Sequence, residues 1–294
     1  MTQTAADTTL MEAEKLWLAG TPQQAREAFR RARLLYHENG DAPGEAQALT
    51  MLGDFEVETG HLDAASEAYA DARTLYARDG DQHDQAGVLV RLGELAHRAG
   101  KPADAAQFFA SARELYDSAS DHSGLAHVAK RQGHMERDQG RQDRALDRYG
   151  EALALYRRAN DTLGQANVLK AMAQLHRKLG QNDIAHEEYE QALDFYREAG
   201  DALGEATCCH GLGHLLHSLG NRTDARRVLE SARHLFAATG HLRGEAEVLM
   251  DLGRLLTVED QGKAQSAFKH AASLFKRMGD DRAAEAEMEA GKFF

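Results

Sequence analysis

Residues 41–80 read DAPGEAQALTMLGDFEVETGHLDAASEAYADARTLYARDG, and residues 81–120 read DQHDQAGVLVRLGELAHRAGKPADAAQFFASARELYDSAS. Laid over one another in a step of 40, they pair Leu49 with Leu89, Gly53 with Gly93, Gly60 with Gly100, Ala65 with Ala105 and Tyr69 with Phe109. The same step runs outward in both directions, so that Gly20, Gly60, Gly100, Gly140, Gly180 and Gly220 form one ladder. A second ladder stands half a period away at Gly40, Gly80, Gly200 and Gly240, with Ser120 and Asn160 on its two remaining rungs and Gly279 one residue early. Self-similarity at a fixed period of this size is the mark of a repeat architecture.

Between cuts the apolar and small residues recur at helical spacing, as in the stripe Ala65, Tyr69, Ala72, Leu75 and Tyr76. Glycine at each cut suits the left-handed conformation that ends a helix, and the following Asp41, Asp81, Asp121, Asp161 or Asp201 suits the N-cap of the next. Each period is therefore expected to be a helical hairpin, with units at about 2–40, 41–80, 81–120, 121–160, 161–200, 201–240 and 241–279 and a capping helix at about 281–292. One hairpin cannot bury its apolar faces alone, so neighbours must stack. Without a Pro/Ser-rich linker, residues 1–294 are expected to form a single all-α, right-handed solenoid.

Composition agrees with that reading. Of 294 residues 43% are hydrophobic and only 6% aromatic, with 26 Gly against 3 Pro, which suits punctuated helices and argues against disorder or an all-β fold. The formal charge is 35 − 47 = −12, so the average field repels phosphates, and neither nucleic acid nor a membrane surface is expected as a partner. The only cysteines, Cys208 and Cys209, are adjacent, which fits neither a disulfide framework nor a zinc cluster. With no signal-like N-terminus and no apolar run of about 18 residues, the expectation is a cytoplasmic chain.

The first helix of the units carries L-x-x-L-G or a close variant, as at Leu49/Leu52/Gly53, Leu89/Leu92/Gly93 and Leu249/Leu252/Gly253. The second carries A-x-x-x-[YF]-x-x-A, as at Ala65/Tyr69/Ala72, Ala105/Phe109/Ala112 and Ala185/Tyr189/Ala192. This resembles the tetratricopeptide repeat, whose usual unit is 34 residues; the longer unit ending in G-D-x-x-G-[EQ]-A resembles the branch of the Pins/LGN scaffolds and of bacterial regulators. HEAT repeats share the period but lack this code of small and aromatic positions. The resemblance implies a protein-protein interaction scaffold or adaptor, and implies that first-helix side chains line a concave groove.

Carried over residue by residue, that groove would include His127, Lys130, His134 and Arg137, then Lys170, Gln174, Arg177 and Lys178, then His210, His214 and His217, and Arg254. Its middle is basic and histidine-rich although the chain is acidic, whereas Asp54, Glu58 and Glu94 mark its N-terminal end. Cations on successive helices suit an acidic peptide, with Arg forking onto carboxylates; they also suit a merely solvated face. If the histidines line the groove, mild acid would charge them and tighten such binding.

His210, His214 and His217 at i, i+4 and i+7 form a candidate metal face, but a straight helix seldom supplies three ligands, so they are read as groove residues and no metal or cofactor is expected. No phosphate loop, G-x-S-x-G elbow or dinucleotide fingerprint is present, and the pair Glu187/Glu188 is placed on an outer, solvated face, so no enzyme is expected. Two alternatives stay open. One is self-assembly, with Asp54, Glu58 and Glu94 meeting Arg254 and Lys263 of another copy and Phe293-Phe294 docking in a neighbour. The other is a ligand- or peptide-sensing regulator.

Overall fold

The computed structural model describes residues 4–18 and 21–293. Among them are fifteen α-helices and no strand: α1 (Ala5–Leu18), α2 (Pro22–Glu38), α3 (Ala42–Glu58), α4 (Leu62–Asp79), α5 (Gln82–Arg98), α6 (Pro102–Ser118), α7 (His122–Asp138), α8 (Gln142–Ala159), α9 (Thr162–Lys178), α10 (Asn182–Ala199), α11 (Ala202–Ser218), α12 (Arg222–Ala238), α13 (Leu242–Leu256), α14 (Gln261–Arg277) and α15 (Arg282–Gly291). The all-α hairpin repeat is thus the architecture observed. None of these helices is long and apolar enough to cross a membrane.

The two glycine ladders do what their chemistry allows. Gly60, Gly100, Gly140, Gly180 and Gly220 take positive φ between first and second helices, and Gly40, Gly80, Gly200, Gly240 and Gly279 take it between hairpins; Gly20 lies outside the described residues. Ser120 (φ 54°) and Asn160 (φ 52°) adopt the same left-handed turn with a side chain in place. Each expected aspartate caps its helix: the carboxylates of Asp41, Asp121, Asp161 and Asp201 accept from the backbone N–H of Gly44, Gly124, Gly164 and Gly204, and Asp81 from that of Asp84.

Contacts divide the chain into two compact units, Met1–Leu155 and Tyr156–Phe294, with the boundary inside α8. In the first unit α1/α2, α3/α4 and α5/α6 pair as hairpins, and α2 on α3, α4 on α5 and α6 on α7 join one hairpin to the next. Its core repeats a motif in which an aromatic from the second helix lies against a glycine of the first. A Cβ on Gly53 would stand 2.4 Å from Tyr69 Cε1, and one on Gly133 would stand 2.5 Å from Tyr149 Cε1. Full burial of each such ring contributes about 2–3 kcal/mol, which only a residue without a side chain permits at this spacing. At the N-terminal end Trp17, Phe29 and Phe55 meet with centroids 5.7–6.0 Å apart, and Arg26 forks onto the buried Glu56 at 2.6 and 2.8 Å.

In the second unit α9/α10, α11/α12 and α13/α14 form the hairpins, and α15 packs on α14. Phe293 stacks on Phe268 with centroids 6.3 Å apart, so the ring expected to dock in a neighbour is engaged within its own unit; Phe294 lies outside the described residues. Cys208 and Cys209 are both buried and free, as hydrophobic packing residues are, and burial pushes both thiols up, Cys209 to about 11. Glu188 corrects the expectation of a solvated pair: Glu187 is exposed, but Glu188 is buried and sits 2.6 Å from His176 Nδ1. Burial raises its pKa, and the imidazole from α9 supplies the compensating partner.

Candidate functional site

The first-helix face of the first unit is a set of polar links between α3, α5 and α7. Asp54 Oδ1 on α3 accepts from Tyr69 OH at 2.6 Å and from Arg91 Nε on α5 at 2.8 Å. One repeat on, Arg131 of α7 pairs with Glu94 of α5, and its Nε donates to His127 Nε2 at 3.0 Å. Asp54, Tyr69, Arg91, Glu94, His127 and Arg131 border a cleft of about 230 Å³. Farther along, Arg137 Nε donates to Asp138 Oδ1 at 2.9 Å, and Asp138 Oδ2 lies 3.2 Å from His97 Nε2.

His127 and His134 are half-buried, and burial, reinforced by Lys130, Arg131 and Arg137, drives both imidazoles down to about 3. His134 Nδ1 sits 2.7 Å from Tyr149 OH, an arrangement in which a neutral ring accepts the phenolic proton. The expectation that mild acid charges these two histidines is therefore corrected: low accessibility and surrounding cations keep them neutral.

In the second unit α9 presents Lys170, Gln174, Arg177 and Lys178. Lys170 Nζ donates to Thr207 Oγ1 at 3.0 Å and lies 5.2 Å from the centroid of the Tyr196 ring. Burial pulls its pKa below the ordinary lysine value. Arg177 Nε and Tyr189 OH are buried without a hydrogen-bond partner, while Gln174 is half-buried and Lys178 exposed. Among the described residues neither Lys170 nor Arg177 pairs with a carboxylate.

On α11, His210 Nε2 and His214 Nε2 approach Asp251 Oδ2 of α13 at 2.8 and 3.1 Å. Arg254 Nη1 takes the other oxygen, Asp251 Oδ1, at 3.2 Å, and Arg254 Nη2 reaches Glu285 at 3.0 Å. Burial opposes ionisation of Asp251, yet hydrogen bonds and charge from the two histidines hold its carboxyl far below the usual range. His217 is exposed and stands outside this group.

Sequence reasoning found the histidines and lysines but not Arg91, Arg131 and Asp251. A signal was there: these three occupy the eleventh place of their units, and each meets the fourteenth place of the unit before. The links Arg91–Asp54, Arg131–Glu94 and Asp251–His214 all span 37 residues.

Compared with known proteins, the chain matches the family model described as tetratricopeptide repeat over residues 84–158 and 133–198, and that described as soluble NSF attachment protein, SNAP, over residues 2–114. No curated protein matches it. Aspartyl phosphate phosphatase F from Bacillus subtilis shares 12% identity with a TM-score of 0.70, covering 92% of this chain and 70% of its own. The apo form of the quorum sensor NprR from B. thuringiensis shares 12% identity at TM-score 0.62, covering 98% and 87%. BtubC (BKLC) from P. vanneervenii shares 21% identity at TM-score 0.59, covering 81% and 93%. At these identities the likeness is one of fold.

Proposed function

The chain is a tetratricopeptide-repeat protein, and from that premise we propose a non-catalytic interaction module that takes an acidic segment of a partner protein on the first-helix face of its second unit. Charge matching is the observation that carries this reading. In a chain with 47 acidic and 35 basic residues, Arg91, Arg131 and Arg137 each have a carboxylate partner. Lys170 and Arg177, two turns apart on α9 and hence on one face, have none among the described residues.

A buried N–H without an acceptor, such as Arg177 Nε, costs about 1–3 kcal/mol. A carboxylate from a bound peptide would add a charge-assisted bond to the accessible edge of the half-buried Arg177 guanidinium. The exposed Lys178 steers the approach, and His210, His214 and Arg254, which already hold Asp251, take no direct part. Lys130, His127 and His134 belong to the first unit and are not required.

The test is selection of random displayed peptides on the wild-type chain. The expected result is enrichment of sequences rich in Asp and Glu, whose affinity falls at least tenfold in Lys170→Gln/Arg177→Gln and weakens with added salt. Enrichment of neutral peptides, or acidic ones indifferent to the double substitution, sinks the proposal.

A sensing form of the same reading draws support from likeness in fold to a protein described as a quorum sensor. It requires the selected peptide to change the conformation of the chain, which small-angle scattering with and without peptide would register. Self-assembly has less to draw on: Asp54, Glu94, Arg254 and Lys263 all have partners within the chain.

A further inference from the structure

Two imidazoles one helical turn apart on α11 and a carboxylate on α13 converge on a single point, an arrangement independent of the peptide-binding reading. His210 Nε2, His214 Nε2 and a carboxylate oxygen of Asp251 all lie within 4.8 Å of one another. Tetrahedral zinc with bonds of about 2.0–2.2 Å holds its ligand atoms about 3.3–3.6 Å apart. The separations of 2.8 and 3.1 Å to Asp251 Oδ2 would therefore need to open by about 0.5–0.8 and about 0.2–0.5 Å. The two rings are already nearly side by side, with centroids 4.6 Å apart and planes 32° from parallel.

The rest of the neighbourhood favours such a role. Arg254 holds Asp251 by Oδ1 alone, which leaves Oδ2 turned toward both imidazoles, as an outer-shell partner orients a monodentate ligand. His210 and Asp251 are 17% and 16% exposed, whereas His214 is 43% exposed, so the group is anchored on one side and open on the other. Imidazole nitrogen with one carboxylate suits a divalent ion of the zinc type rather than calcium or magnesium.

We propose that His210, His214 and Asp251 form a binding site for one divalent transition-metal ion of the zinc class, with a fourth position left to water or to a ligand. Binding would replace the hydrogen bonds that now join the imidazoles to the carboxylate, each neutral ring carrying its remaining proton on Nδ1.

The experiment uses the full chain after dialysis against chelator, titrated with Zn²⁺ by calorimetry and with Co²⁺ by visible absorption. The expected result is one ion per chain, a tetrahedral Co²⁺ spectrum and a raised thermal midpoint with Zn²⁺. Asp251→Asn and His214→Ala should each weaken binding at least tenfold, whereas His217→Ala should leave it unchanged. His214 is the most exposed of the three, so His214→Ala keeps the test valid if Asp251→Asn fails to fold. Absence of saturable binding, or binding that survives His214→Ala, overturns the proposal; the triad is then an internal ion-pair cluster that only satisfies Asp251.

Discussion

His127 and His134 show how a residue type can be right for a surface and wrong for the role its sequence position suggests. Both stand on the expected helix, but the cations beside them and their burial make the neutral ring the stable form. Unfolded, each binds a proton near the ordinary value of about 6.5, while the folded chain declines it until about pH 3. Stability is thus fully present above pH 6.5 and falls as the pH is lowered, by about 1–2 kcal/mol per histidine on reaching pH 5. Urea unfolding at pH 7 and pH 5 measures this loss, and His134→Gln should reduce it; an unchanged pH dependence in that variant would falsify the assignment. The sequence placed these side chains on a face but could not reveal their neighbours, because Arg131 reaches His127 along the helix while pairing with a carboxylate from the previous repeat.

At the scale of helices, the same 40-residue code fixes caps, turns and close approaches, which is why so much of it could be read directly. Apolar spacing announces a helix, aspartate after glycine announces its start, and L-G opposite A-x-x-x-Y announces where two backbones touch. Two opposite substitutions test the physics of these positions. Gly53→Ala places a methyl 2.4 Å from the Tyr69 ring and should destabilise the chain by about 1–3 kcal/mol. Ser120→Gly removes a Cβ from a left-handed turn and should be neutral or stabilise by up to about 1 kcal/mol. Thermal melts of the two variants check the signs together. What the reading missed is the inner polarity of the second helices: Glu188, unlike Glu187, falls on the Ala185/Ala192 stripe at the place of the buried Ala68 and Val228, and His176 from α9 supplies the partner that a carboxyl there needs.

Across the whole molecule, internal links engage Asp54, Glu94, Arg254 and Lys263, four of the five charges on which head-to-tail assembly would draw, and Phe293 stacks on Phe268. Sedimentation over a hundredfold range of concentration should accordingly report one chain of 32.3 kDa; a mass that climbs with concentration would restore assembly as a function. The 37-residue links carry a consequence for anyone who would build with these units as bricks. A brick copied from residues 81–120 bears Arg91 and Glu94 at the two joining places, so identical copies laid in series meet plus to minus at every joint. A brick copied from residues 241–279 bears Asp251 and Arg254 there and mates with itself by the inverse rule. Alternate the two and every seam would set carboxylate against carboxylate or guanidinium against guanidinium, so each brick would accept its own kind and refuse the other.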